Sequence, residues 1–120
     1  MDRYEVTDGA MVPVSDNGSR KWVFAGDTET RSYERLADAL IDFVETGNWL
    51  QDRFLQGFVE ACAKNRKSIE KRGFGVAVRR IECRYGDDGT LRVASAKVLH
   101  ERRYTVDEWR HDLSEQHARE

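Results

Sequence analysis

The sequence predicts an α+β fold: a four-stranded, mostly antiparallel sheet packed against a helical hairpin, with a C-terminal helix, in ββααββα order. Three observations lead there. Two stretches of alternating apolar residues are each broken by a glycine-containing turn, apolar residues recur at helical spacing between them, and a capping box stands near the C-terminus.

The first hairpin is the most local of these signals. Val12 and Val14 lead into Ser15-Asp16-Asn17-Gly18, and Asn-Gly is the preferred pair where both turn residues need positive φ. The return strand is Lys21 to Ala25, which sets Pro13 opposite Trp22 and Met11 opposite Phe24. Proline cannot donate to a ladder, so the outgoing strand is expected at a sheet edge.

Tyr33, Leu36, Ala37, Leu40, Ile41 and Val44 then repeat with helical period, leaving Glu34, Arg35, Asp38, Asp42 and Glu45 outward. Ser32 is the expected cap and Gly47 the expected left-handed stop. Asn48, with Gln51 three residues on, would cap a second helix carrying Leu50, Phe54, Leu55, Phe58, Val59 and Cys62 on one side. So short a connection predicts two antiparallel helices.

Phe74, Val76 and Val78 alternate, after which the apolar phase moves to Ile81, Cys83 and Tyr85. That slip predicts a bulge at Arg79-Arg80. Gly86 to Gly89 makes the turn and Leu91 to Leu99 returns. Thr105-Val106-Asp107-Glu108 opens the last helix, with Val106, Trp109 and Leu113 inward.

One domain spanning residues 1–120 accommodates these elements, since 120 residues is an ordinary single-core size. Two cysteines are too few for a disulfide framework and point to a cytoplasmic, reducing setting. No apolar run approaches a signal peptide or a membrane span, so no membrane association is expected.

Catalytic and metal chemistry find little support. No second cysteine stands near Cys62 or Cys83, and His100, His111 and His117 lack the spacing of a zinc site. Asp107, His111 and Glu115 would share a helix face, which reads as a solvated charged surface. Both cysteines fall on apolar phases and are expected to be buried. The expectation is no cofactor, no metal, no catalytic residues and no enzymatic activity.

Charge is the more informative property. The net charge is −2, but residues 1–63 carry six basic against twelve acidic side chains, while residues 64–84 carry eight basic against two acidic. The basic stretch comprises Lys64, Arg66, Lys67, Lys71, Arg72, Arg79, Arg80 and Arg84. As a strip it would suit an acidic face on a protein partner. With Phe74 and Tyr85 interleaved it would alternatively suit nucleic acid, although a pI near 6 is low for that role. Trp49, opening its helix beside the Gly47-Asn48 turn, reads either as a staple at the core edge or as an anchor for a partner. The narrow stripe of the last helix would allow a homodimer.

The functional expectation is a small non-enzymatic protein-binding module, an adaptor, inhibitor or immunity-type protein. Its candidate partner-binding residues are Arg66, Lys67, Lys71, Arg72, Arg79, Arg80, Arg84 and Trp49. Nucleic-acid binding through residues 64–84 is the alternative.

Overall fold

The computed structural model describes residues 2–64 and 71–108, with residues 62–64 described in backbone only. Strands β1 (Asp2–Asp16) and β2 (Ser19–Tyr33) precede helix α1 (Leu36–Lys64), and β3 (Gly73–Tyr85) and β4 (Leu91–Tyr104) follow it. All pairings are antiparallel, in spatial order β2-β1-β3-β4. The α+β class stands, but one long helix takes the place of the expected helical hairpin.

Both turns form where the sequence places them. Asn17 and Gly18 have φ of 48° and 80°, and Pro13 faces Trp22 while Met11 faces Phe24. The strands run well beyond the expected bounds, so Ser32 lies within β2 and caps nothing. β1 is an interior strand, contrary to the inference from Pro13. Its pairing with β3 ends at Met11, so Pro13 lies past that ladder and still donates to no neighbour. At the second turn Gly89 has φ 79° and its N–H donates to the Gly86 carbonyl.

The phase change in β3 has a different cause from the one expected. The β1·β3 ladder is unbroken from Asp2↔Glu82 to Met11↔Gly73, so β3 alternates strictly. Val76 and Val78 face α1, whereas Ala77 and Ile81 are buried on the opposite face. A register shift does fall between Val78 and Arg79, but its extra residue is Leu99 of β4.

The core lies between α1 and one sheet face. Val6, Ala39, Phe43, Leu50, Val76 and Val78 form its centre, with Tyr4, Tyr33, Leu40, Phe74, Leu99 and Tyr104 around them. Leu50, Val6, Val76 and Val78 are among the most completely buried side chains, each contributing roughly 2 kcal/mol. On the other face Trp22 is buried as expected, and its Nε1 donates to Asp107 at 2.7 Å. Thr105 caps the chain there, accepting from the Glu108 N–H, and Val106 is buried. Trp109 and Leu113, and with them the proposed dimer stripe, lie outside the described residues, as do His111, Glu115 and His117.

Gly47 does not end a helix. It is buried within α1, on the line that meets β4, where a β-carbon would come within 2.9 Å of Tyr104 Oη. The glycine permits close approach, and Asn48 is consequently a helix-interior residue. Tyr104 Oη is buried and finds no hydrogen-bond partner among the described residues.

A polar clamp fixes the rotation of α1. Arg31 of β2 donates through Nε and Nη2 to both carboxylate oxygens of Asp42, at 2.7 and 2.8 Å, and its Nη1 lies 2.8 Å from Asp8 of β1. Tyr33 and Thr46 also donate to Asp42. Asp42 therefore turns inward, contrary to its outward assignment from sequence, while Asp38 and Glu45 remain exposed. The Arg31 guanidinium holds the Asp42 carboxyl down at about 2, and hydrogen bonding to Asp42 raises the Tyr33 phenol.

Two expectations follow. Gly47→Ala gains about 1 kcal/mol of helix propensity but crowds Tyr104, so it should lower the thermal midpoint of the wild type and raise that of Tyr104→Phe. Equal effects in both backgrounds would refute the close-approach account. Asp42 stabilises fully above the ordinary aspartate value of ~4, and that share is lost as pH falls through about 2. Urea denaturation should show this acid-side loss, on the order of 1 kcal/mol after solvent screening. In Arg31→Met it should shrink, since only Tyr33 and Thr46 still donate to Asp42, on a baseline about 2 kcal/mol lower.

Candidate protein-binding face

Among the described residues the basic side chains of the expected strip do not share one face. Arg66 and Lys67 lie outside the described residues, and nothing is described of the Lys64 side chain. Lys71 and Arg72 are exposed just ahead of β3. Arg84 stands near its far end, roughly 40 Å away at strand rise, paired with Glu82 at 2.8 Å. Between them, strict alternation sends Arg79 and Arg80 to opposite faces. Arg79 lies 3.1 Å from Glu5, and Arg80 is exposed on the helix side. Phe74 is packed into the core and lies under Arg53, so it is not a stacking platform, while Tyr85 is exposed.

Trp49 is 56 % exposed. The Arg53 guanidinium lies 5.3 Å from its ring and 5.5 Å from that of Phe74, bridging the helix to the sheet. Cys83 is buried as expected. His100 sits beside Phe43, ring centroids 6.2 Å apart. Among the described residues no cluster of His, Cys, Asp and Glu could hold a metal ion.

The surface that the sequence reading missed is on α1. Ala39, Phe43, Leu50, Phe54 and Ala61 meet the sheet. Ile41, Val44, Leu55 and Val59, expected to be inward, are 58 %, 49 %, 41 % and 67 % exposed. They occupy one side of the helix: 41, 44, 48, 51 and 55 follow each other at alternating steps of three and four, and 59 stands one turn beyond 55. One more turn of the same spacing in the other direction reaches Ala37. The signal was in the sequence: apolar positions on this helix span more than the single face a sheet can cover.

Beside this stripe runs a groove between α1 and the end of β4. Gln51, Phe54 and Leu55 line one wall, Glu101 to Thr105 and Glu108 the other, enclosing about 400 Å³. The β4 wall is balanced in charge, with Arg103 placed 3.7 Å from Glu101 and 3.8 Å from Glu108. A further set of exposed apolar residues, Leu91, Val93 and Val98, lies along β4 itself. That edge is bulged twice against β3 and carries Lys97, features that discourage another strand from pairing there.

No helix among the described residues is long and apolar enough to cross a membrane. Comparison with protein-family models, with curated proteins and with solved structures finds no match to this chain.

Proposed function

We propose that this chain is a non-enzymatic protein-binding module, an adaptor, inhibitor or immunity-type protein that acts in the cytoplasm by occupying a partner's surface. One observation carries the reading: four aliphatic side chains, Ile41, Val44, Leu55 and Val59, stand exposed along one side of one helix. Scattered apolar residues are normal on a protein surface, but an aligned set beside a groove is the usual mark of a protein contact. The helix that carries them is clamped to β1 and β2 through Arg31, so the face is rigid before a partner arrives, which limits the entropy lost on binding. The proposed contact is therefore α1 rather than the arginines of β3, of which Arg79 and Arg80 lie on opposite faces. Nucleic-acid binding through those arginines is correspondingly disfavoured.

Purified protein used as bait in extract of its native host, with and without nuclease, tests the reading. A stoichiometric protein should be retained after nuclease treatment and lost with Ile41→Glu or Val59→Glu. Both positions are exposed, so each variant should keep its fold to within about 0.5 kcal/mol, checked by circular dichroism and thermal melting. Retention of nucleic acid alone, abolished by nuclease, would overturn the proposal. So would a set of proteins captured equally by wild type and variants.

A further inference from the structure

We infer that the α1 face receives a basic amphipathic helix, laid along the groove beside β4; the inference rests on the protein-binding reading and names its partner class. The argument begins with the spacing. Ala37, Ile41, Val44, Asn48, Gln51, Leu55 and Phe58 form an unbroken alternation of four- and three-residue steps, the pattern of a helix seam. A partner that matches such a seam over three turns and more is another helix, because only that geometry returns side chains at the same rise.

The flanks of the seam differ, and the difference selects the partner. On one side the line Gly47, Phe54 and Ala61 is buried under the sheet. On the other, Asp38, Glu45 and Asp52 repeat at seven-residue intervals, all exposed. Between Leu36 and Ala61 the helix has five carboxylates and one cation, Arg53, which is engaged by Trp49 and Phe74. Asp42 is neutralised internally by Arg31, so the exposed row is what an incoming helix meets. Lysines or arginines flanking the partner's apolar seam would complement that row.

A second copy of this chain fits less well. Antiparallel docking would bring the two carboxylate rows together, and parallel docking would set each row over the uncharged Gly47–Phe54–Ala61 line. Asn48 and Gln51, both exposed in the middle of the seam, add a register mark: polar residues at seam positions favour a partner with polar residues opposite them.

The test uses the full chain and two synthetic four-heptad peptides with the same leucine seam and one central Asn, flanked by lysines in one and glutamates in the other. Titration followed by fluorescence anisotropy should show binding of the lysine peptide and none of the glutamate peptide. Affinity should weaken with added salt. It should be lost in Val59→Glu and fall about tenfold in the triple variant Asp38→Asn, Glu45→Gln, Asp52→Asn, the sum of three rim pairs of about 0.5 kcal/mol each. Equal affinity for both peptides, or binding indifferent to Val59→Glu and to the triple variant, would overturn the inference. Sedimentation of the chain alone as a dimer that Val59→Glu dissociates would overturn it too, in favour of self-association. A host protein retained through Ile41 and Val59, with no binding of the lysine peptide, would sink the basic helix and leave the module reading standing.

Discussion

A straight helix can offer a sheet only one line of side chains, and the rest of this structure depends on that constraint. α1 runs unbroken for 29 residues, and its sheet-facing line is taken by Ala39, Phe43, Leu50, Phe54 and Ala61. Had the chain broken at Gly47 into two antiparallel helices, Ile41, Val44, Leu55 and Val59 could have packed against one another. With the helix continuous, they have nowhere to go but outward. The exposed stripe is thus a geometric consequence of continuity, and Gly47 lies within the unbroken helix as the residue small enough to let Tyr104 approach.

Rotation about the helix axis is the remaining freedom, and the Arg31 clamp removes it. Apolar burial alone is tolerant of rotation by a few tens of degrees because neighbouring aliphatic side chains can substitute for each other. A bidentate guanidinium–carboxylate pair is not tolerant, since both hydrogen bonds require a planar fit. With Asp42 held by Arg31, and Arg31 held in turn by Asp8, the angular position of every other α1 side chain follows. The clamp need not add much net stability, because desolvating its charges offsets most of the attraction. Its effect is to specify which residues face the solvent.

What the sequence discloses is what short-range physics controls. Asn17-Gly18, the Pro13↔Trp22 register, the Gly86–Gly89 turn and the Thr105 cap each depend on a few adjacent residues, and each was legible. Gly47 was not. A glycine followed by Asn has the local look of a helix stop, and only the presence of Tyr104, 57 positions downstream, distinguishes it from a close-approach residue. Asp42 was misplaced for the same reason, because its partners Arg31 and Tyr33 come from a different element. The site suffered most: the stripe of α1 is visible as surplus apolar positions, but which of them are surplus depends on the long-range contacts that set the helix's rotation.

The two charge patterns show how secondary structure decides whether a run of like residues becomes a surface. The basic residues of β3 are close in sequence, yet a strand of period two deals them to alternate faces and spreads them along its length. Arg79 and Arg80 are neighbours in the chain and lie on opposite sides of the sheet. Asp38, Glu45 and Asp52 are far apart in sequence, yet a helix brings residues seven apart onto one side, two turns at a time. Proximity in sequence is therefore a poor guide to either row. Among the described residues the aligned charge is the acidic row, beside an apolar seam on a helix whose orientation is locked.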